Sequence, residues 1–149
     1  MVEEDLPADF VNVIYVPDDE HMGRLHVRAR FAGFEGRAEA WVDRREASEF
    51  AERLKQYPLD EHEPVTFSAG LGGIEFIGIA AAPVGGKGQV VLSIHLASEA
   101  WHDGKPSPEH DVTIEFPTSY EYLRRFSNHL HMVLDSQLDQ ASLDFDLLV

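Results

Sequence analysis

Eight histidines in a chain without cysteine make metal binding the first chemistry to weigh. His129 and His131 stand two apart in a stretch with helical periodicity, so they project about 200° from each other and cannot share an ion. His62 lies among Asp60, Glu61 and Glu63, and His21 closes the run Asp18-Asp19-Glu20. Neither cluster has the His-x-x-x-His or Asp-x-Asp-x-Asp-Gly spacing that aims several ligands at one centre. Both read as solvated turns. The carboxylates Asp135, Asp139, Asp144 and Asp146 lack the glycine and terminal glutamate of a calcium loop and read as a solvated face. No metal and no cofactor is expected.

Phosphate and nucleophile chemistry are no better supported. Gly85-Gly86-Lys87-Gly88 has no Ser or Thr after its lysine and no helix behind it, and Gly70-Leu71-Gly72-Gly73 opens a strand; both read as turns. Ser93 and His95 share one strand face about 7 Å apart, but no Gly-x-Ser-x-Gly elbow and no third orienting group accompanies them. The reading here is a partly buried histidine with a local hydrogen bond, and no catalytic residue is assigned. A rival reading places a small-ligand or enzyme pocket at His95 and Ser93, with Trp101 and His102 of the long 98–109 loop at its mouth. A closed, filled core around His95 would remove it.

The row Arg24, His26, Arg28, Arg30 is the most unusual local feature of so acidic a chain. It offers a cationic stripe to an anionic ligand or partner, or else one sheet face paired with nearby acids, beginning with Glu39. The second reading is favoured. Trp41 falls on the same face, and an exposed aromatic flanked by arginines can anchor a protein interface.

The 149 residues carry 12 basic and 27 acidic side chains, a formal charge of −15, with 44% apolar and 26% charged residues. That balance excludes a wholly disordered chain, and the length predicts one domain over residues 1–149. The absence of cysteine excludes disulfides, thiolate zinc sites and cysteine nucleophiles. No apolar run is long enough to span a membrane, and Met-Val-Glu-Glu-Asp is the reverse of a basic leader; a cytoplasmic protein is expected. Such a charge repels nucleic-acid backbones and anionic membranes. It can steer a basic protein partner, such as a nuclease toxin, at salt-dependent rates, or serve solubility or salt adaptation.

The elements that position these residues follow from periodicity. A helix is predicted over about Arg44 to Tyr57, capped by Asp43 with Glu46 three residues on, apolar at Ala47, Phe50, Ala51 and Leu54, and stopped by Pro58. A second helix is predicted after Thr118 and Glu121, taken as a capping box, with Leu123, Phe126, Leu130, Val133 and Leu134 on one face and Leu138 extending it. Strands are expected near Phe10–Val16, at Arg24–Phe31, Gly36–Val42, Val65–Ala69, Ile74–Ala81, Gln89–Ala97, Asp111–Phe116 and Ser142–Leu148. A Gly33-Phe34 turn would set Ala29 against Ala38, Val27 against Ala40, Leu25 against Val42 and Arg28 against Glu39. Gly85–Gly88 joins two more strands as a hairpin. The order β-β-β-α-β-β-β-β-α-β implies an α+β fold: a largely antiparallel, twisted sheet with two amphipathic helices packed on one face. An exposed edge strand could pair two copies.

Three stretches carry a resemblance. They are Ala38-Glu39-Ala40-Trp41-Val42 leading into Ala47-Ser48-Glu49-Phe50-Ala51-Glu52-Arg53-Leu54, then Gly88 through Leu96, then Phe116-Pro117-Thr118-Ser119-Tyr120 with the helix through Phe126 and Leu130. In this layout, over about two thirds of the chain, the sequence resembles small bacterial immunity-type proteins of the WapI-like kind and related families of unknown function. No diagnostic motif is matched, so no binding residue carries over. The resemblance implies a catalytically inert protein that acts by binding another. The leading expectation is therefore a non-catalytic interaction module whose acidic surface meets a basic protein.

Overall fold

The computed structural model describes residues 9–70, 75–85, 88–102 and 105–145, with the backbone alone over 99–102 and 105–109. Its elements are β1 (Phe10–Pro17), β2 (Met22–Phe31), β3 (Phe34–Asp43), α1 (Arg44–Arg53), β4 (Val65–Ala69), β5 (Glu75–Val84), β6 (Gln89–His102), β7 (Lys105–Ser119), α2 (Tyr120–Leu134) and β8 (Ala141–Ser142). The fold is α+β and the strand pairing is antiparallel throughout these elements. The strands divide between two four-stranded sheets, ordered β3-β2-β1-β8 and β4-β5-β6-β7, where periodicity alone predicts one. The first sheet stops at β3, where the Glu75 carboxylate of β5 accepts the Glu39 backbone N–H at 2.8 Å. A side chain thus takes a donor that another strand would need.

Alternation decides what each strand buries. Val11, Val13, Leu25, Val27, Ala29, Ala38, Ala40 and Val42 of the first sheet face the same core as Ile77, Ile79, Leu92, Ile94, Leu96, Ile114 and Phe116 of the second. The helices close it. Asp43 Oδ1 accepts from the N–H groups of Arg45 and Glu46 at 2.8 and 3.1 Å, as its sequence position predicts, and α1 buries Ala47, Phe50 and Ala51. In α2 the buried stripe is Leu123, Phe126, Ser127, Leu130, Val133 and Leu134. The Ser127 hydroxyl donates to the Ala51 carbonyl, pinning α2 to α1. The helix pair touches both sheets: α1 packs on β3 and β4, α2 on β1, β7 and β8.

Several boundaries depart from the sequence reading, each for a local reason. The cap of α2 is Ser119, whose hydroxyl accepts from the Tyr122 N–H at 3.2 Å; Thr118 belongs to β7 and its buried hydroxyl donates to the Asp144 carbonyl. Leu138 is exposed, because Ser136 turns the chain out of α2 at a positive φ of 61°. The β2–β3 turn is Ala32-Gly33, with φ of 55° and 88°, so Phe31 pairs Phe34 and the register lies two residues from the predicted one. Residues 98–102 and 105–109 form strand and not a free loop, and 103–104 lie outside the described residues. β6 runs on to His102 and β7 starts at Lys105, with Trp101 opposite Pro106 and Glu99 opposite Pro108. An edge strand leaves alternate N–H groups unpaired, so alternate prolines cost the ladder nothing. Among the described residues the last strand covers Ala141 and Ser142, and positions 146–148 of its predicted span lie outside them; Phe145 packs its ring on Phe31 and Phe116 at 5.5 and 5.0 Å.

Candidate functional site

Two surfaces gather the charged side chains. The first is the outer face of β1, β2 and β3, where register sets four rows across the sheet: Phe10–Arg30–Glu35, Asn12–Arg28–Arg37, Ile14–His26–Glu39 and Val16–Arg24–Trp41. Arg24 reaches Glu39 at 2.8 Å and lies over the Trp41 ring at 5.8 Å; His26 Nδ1 is 3.3 Å from the same Glu39. Glu35 serves two guanidiniums, Arg30 at 3.2 Å and Arg28 at 3.4 Å. The arginine row is therefore largely paired across the strands, as favoured from sequence, with different partners: Arg28 meets Glu35, and Arg37 rather than Glu39 stands opposite it. Trp41 is 54% exposed. A cavity of about 410 Å³ opens on this face among Asn12, His26, Arg28, Arg37 and Glu75. A second, of about 700 Å³, lies on the other side of Arg37 and Glu75, between β3 and the β6–β7 ladder.

Ser93 and His95 sit on the other sheet, on the outer face of β6, and line neither of these cavities. His95 Nε2 is 2.7 Å from Asp111 Oδ1, and its ring stands edge-on to Phe76 at 5.2 Å. Asp111 is the local hydrogen-bond partner that sequence left unnamed; it is two positions along β7 from Thr113, the residue opposite His95. Trp101 and His102 belong to β6 and pair with Pro106 and Lys105, and their side chains lie outside the described residues. The structure thus brings Arg28, Arg30 and Trp41 together on one face and keeps Ser93 and His95 apart from them.

The second charged surface is at one end of the molecule. The β1–β2 turn, the start of α1 and the end of α2 meet there: the Arg44 N–H donates to the His21 carbonyl at 2.7 Å, and Arg44 lies 3.8 Å from Asp135. A cavity of about 650 Å³ between them is lined by Glu20, Asp43, Glu46 and Asp135 together with Arg44 and Arg45. Asp19 Oδ1 accepts from the Met22 and His21 N–H groups, and these bonds hold its carboxyl below the ordinary value. Along α2, the hydrogen bond from Arg124, then Arg125, does the same for Glu121. Among the described residues, Asp18, Glu46, Asp60, Glu63, Glu115 and Asp139 are exposed carboxylates without an ion pair, whereas only Arg37 and Arg53 among the arginines lack one.

No group of three or more His, Asp or Glu side chains that could hold a metal ion occurs among the described residues, and no described helix is long and apolar enough to cross a membrane. Neither the curated proteins nor the solved structures contain a significant match to the chain. The model of one family, described as the immunity protein WapI-like family, matches residues 8–137. The match spans both helices and every strand except β8. The chain belongs to the WapI-like immunity protein family.

Proposed function

We propose that this protein gives immunity by binding a basic protein partner, without catalysis, through its acidic end. The observation that carries the reading is the imbalance just described: exposed carboxylates without ion pairs outnumber unpaired arginines among the described residues, and Asp18 of the β1–β2 turn and Glu46 of α1 are two of them at this end. Family membership supplies the immunity-like role, and the field supplies the kind of partner. An excess of one sign raises the encounter rate with the opposite sign and penalises wrong partners, while rim charges change association more than dissociation. The β1–β2 turn and the two helix ends are held together by backbone and ion-pair contacts, which sets the backbone positions from which their carboxylates project.

The test is capture of basic proteins by the immobilised chain, followed by association kinetics at several salt concentrations. The association rate should fall at least about ten-fold from low to physiological salt. Asp18→Lys, Glu46→Lys and Asp139→Lys together should slow association while the dissociation rate changes little. An interaction indifferent to salt and to these three changes would overturn the reading.

A further inference from the structure

The outer face of the first sheet holds a feature that the acidic end does not explain. Arg28 and Arg37 are direct cross-strand neighbours, an arrangement that costs stability because the like charges repel. Local acids relieve it only in part. Glu35 is shared between Arg28 and Arg30, Glu39 is taken by Arg24 and His26, and Glu75 accepts the Glu39 N–H. Arg37 has no ion pair among the described residues, although Glu75 shares its cavity. Asn12, next in the same row, has its carboxamide oxygen occupied by the Ser142 hydroxyl at 2.9 Å, which leaves its NH2 group without a partner.

The Arg37 guanidinium, the Asn12 NH2 group and the Arg28 nitrogens not bonded to Glu35 therefore line one cavity of about 410 Å³, with the Glu39 and Glu75 carboxylates at its wall, and the group that satisfies the donors is an acceptor with more than one lone-pair site. A carboxylate fits: it takes guanidinium N–H groups two at a time. At the same cavity His26 Nε2 is buried without a partner. Its ring directs Nδ1 to Glu39, so in the neutral ring Nδ1 carries the proton and Nε2 is an acceptor. A free anion leaves that nitrogen bare. An acidic residue within a polypeptide brings both a carboxylate and a backbone N–H.

We propose that the cavity bounded by Asn12, His26, Arg28 and Arg37 anchors an acidic side chain of a protein partner, the carboxylate lying between the two guanidiniums. This goes beyond the reading of the acidic end and stands without it, since it concerns a different face and ligands of the opposite sign.

Titration of the full chain with a hexaglutamate peptide, at about 0.15 M salt to screen long-range repulsion, tests it by side-chain NMR of the arginine Nε–Hε groups. Saturable shifts at Arg28 and Arg37 are expected. The double variant Arg28→Gln/Arg37→Gln should weaken binding about ten-fold or more, while Arg45→Gln/Arg124→Gln, which removes the same charge elsewhere, should change it by less than about two-fold. Thermal melts verify that both variants fold, and each single Arg→Gln change offers a milder alternative. Absence of saturable shifts, an unchanged affinity in Arg28→Gln/Arg37→Gln, or equal saturation by acetate at matched carboxylate concentration would each overturn the proposal. Any of these leaves the salt-dependent capture of a basic protein as a separate question.

Discussion

The outer face of β2 and β3 carries a charged or aromatic side chain at nearly every position, Arg24, His26, Arg28 and Arg30 against Trp41, Glu39, Arg37 and Glu35. The outer face of β5 and β6 carries Gly78, Ala80 and Ala82 against His95, Ser93 and Val91. Inward, the two sheets are alike: alternating aliphatic residues, fully buried, in one shared core. An antiparallel strand needs only one apolar face to fold, so the other face answers to different demands. The first sheet displays ions and an indole, whereas the second displays Gly78, Ala80 and Ala82 beside the pair His95–Asp111.

Breaking what the sheets share should give the largest effect. Phe116 is fully buried and meets Phe31 at 5.4 Å and Phe145 at 5.0 Å. Phe116→Ala should cost about 3–5 kcal/mol in urea denaturation, the transfer free energy plus the cavity left behind. Trp41→Ala, on the half-exposed outer face, should cost less than about 1 kcal/mol. A comparable loss from both would mean that the charged face holds the fold together and is not free to serve recognition.

Where the sheets meet, the tolerance is steric. A Cβ at Gly36 of β3 would lie 2.7 Å from Val112 Cγ1 and 3.4 Å from Leu96 Cδ1 of the other sheet. Valine has little rotamer freedom with which to withdraw, so Gly36→Ala should destabilise by about 1–3 kcal/mol. Val112→Ala in the same chain should recover part of that loss, because the clash and the cavity offset each other. Non-additivity in the double-mutant cycle measures it; strict additivity would mean that the sheets move apart instead.

How far such features are legible in sequence depends on the range over which they are decided. The Asp43 cap, the buried stripes of both helices and the inward set Leu25, Val27, Ala29 follow from period and local hydrogen bonding, and the structure repeats them. The β2–β3 register does not follow, because a slip of two residues keeps every side chain on its face. It is decided by the positive φ of Ala32 and by cross-strand partners: the observed register sets Arg30 against Glu35 and His26 against Glu39. The edge between the two sheets carries a contact of Glu75 with Glu39 across 36 residues, which no local pattern encodes. At the candidate site, the Arg28–Glu35 pair and the unpaired Arg37 were hidden by the same slip. The composition carries the net charge of −15, but not which carboxylates stand where a turn and two helix ends converge.

The hairpins of the two sheets should also part company in acid. The β1–β2 turn depends on a carboxylate, with Asp19 Oδ1 holding the His21 and Met22 N–H groups at 2.7 and 2.8 Å. The β5–β6 turn depends on Gly85 and Gly88 at positive φ, 66° and 79°. The Asp19 carboxyl is held below its ordinary 3.8 in the fold. Its contribution is therefore complete above that unfolded value and is lost as pH falls through the lower folded one. Backbone NMR between about pH 2 and 6 should show the His21 and Met22 amides titrating with a midpoint below 3.8 while Gly85 and Gly88 do not follow. A midpoint at or above the ordinary value would contradict the turn's reliance on the ionised group.

The smallest expected effect sharpens the comparison most. Arg37→Glu turns the repelling Arg28 pair into an attracting one, which should raise stability by about 0.2–1 kcal/mol at low salt, the scale of an exposed cross-strand pair. Glu35 and Glu39 stand two residues away on the same face of β3, about 7 Å off, and their repulsion trims the gain without reversing it. Added salt should erase the difference. If Arg37 instead serves the fold through Glu75, Arg37→Glu would be destabilising at low salt, and melting curves at two ionic strengths separate the cases. A gain in stability joined to loss of hexaglutamate binding would mark a charge kept on this face against the interest of the fold, which is the signature of a site.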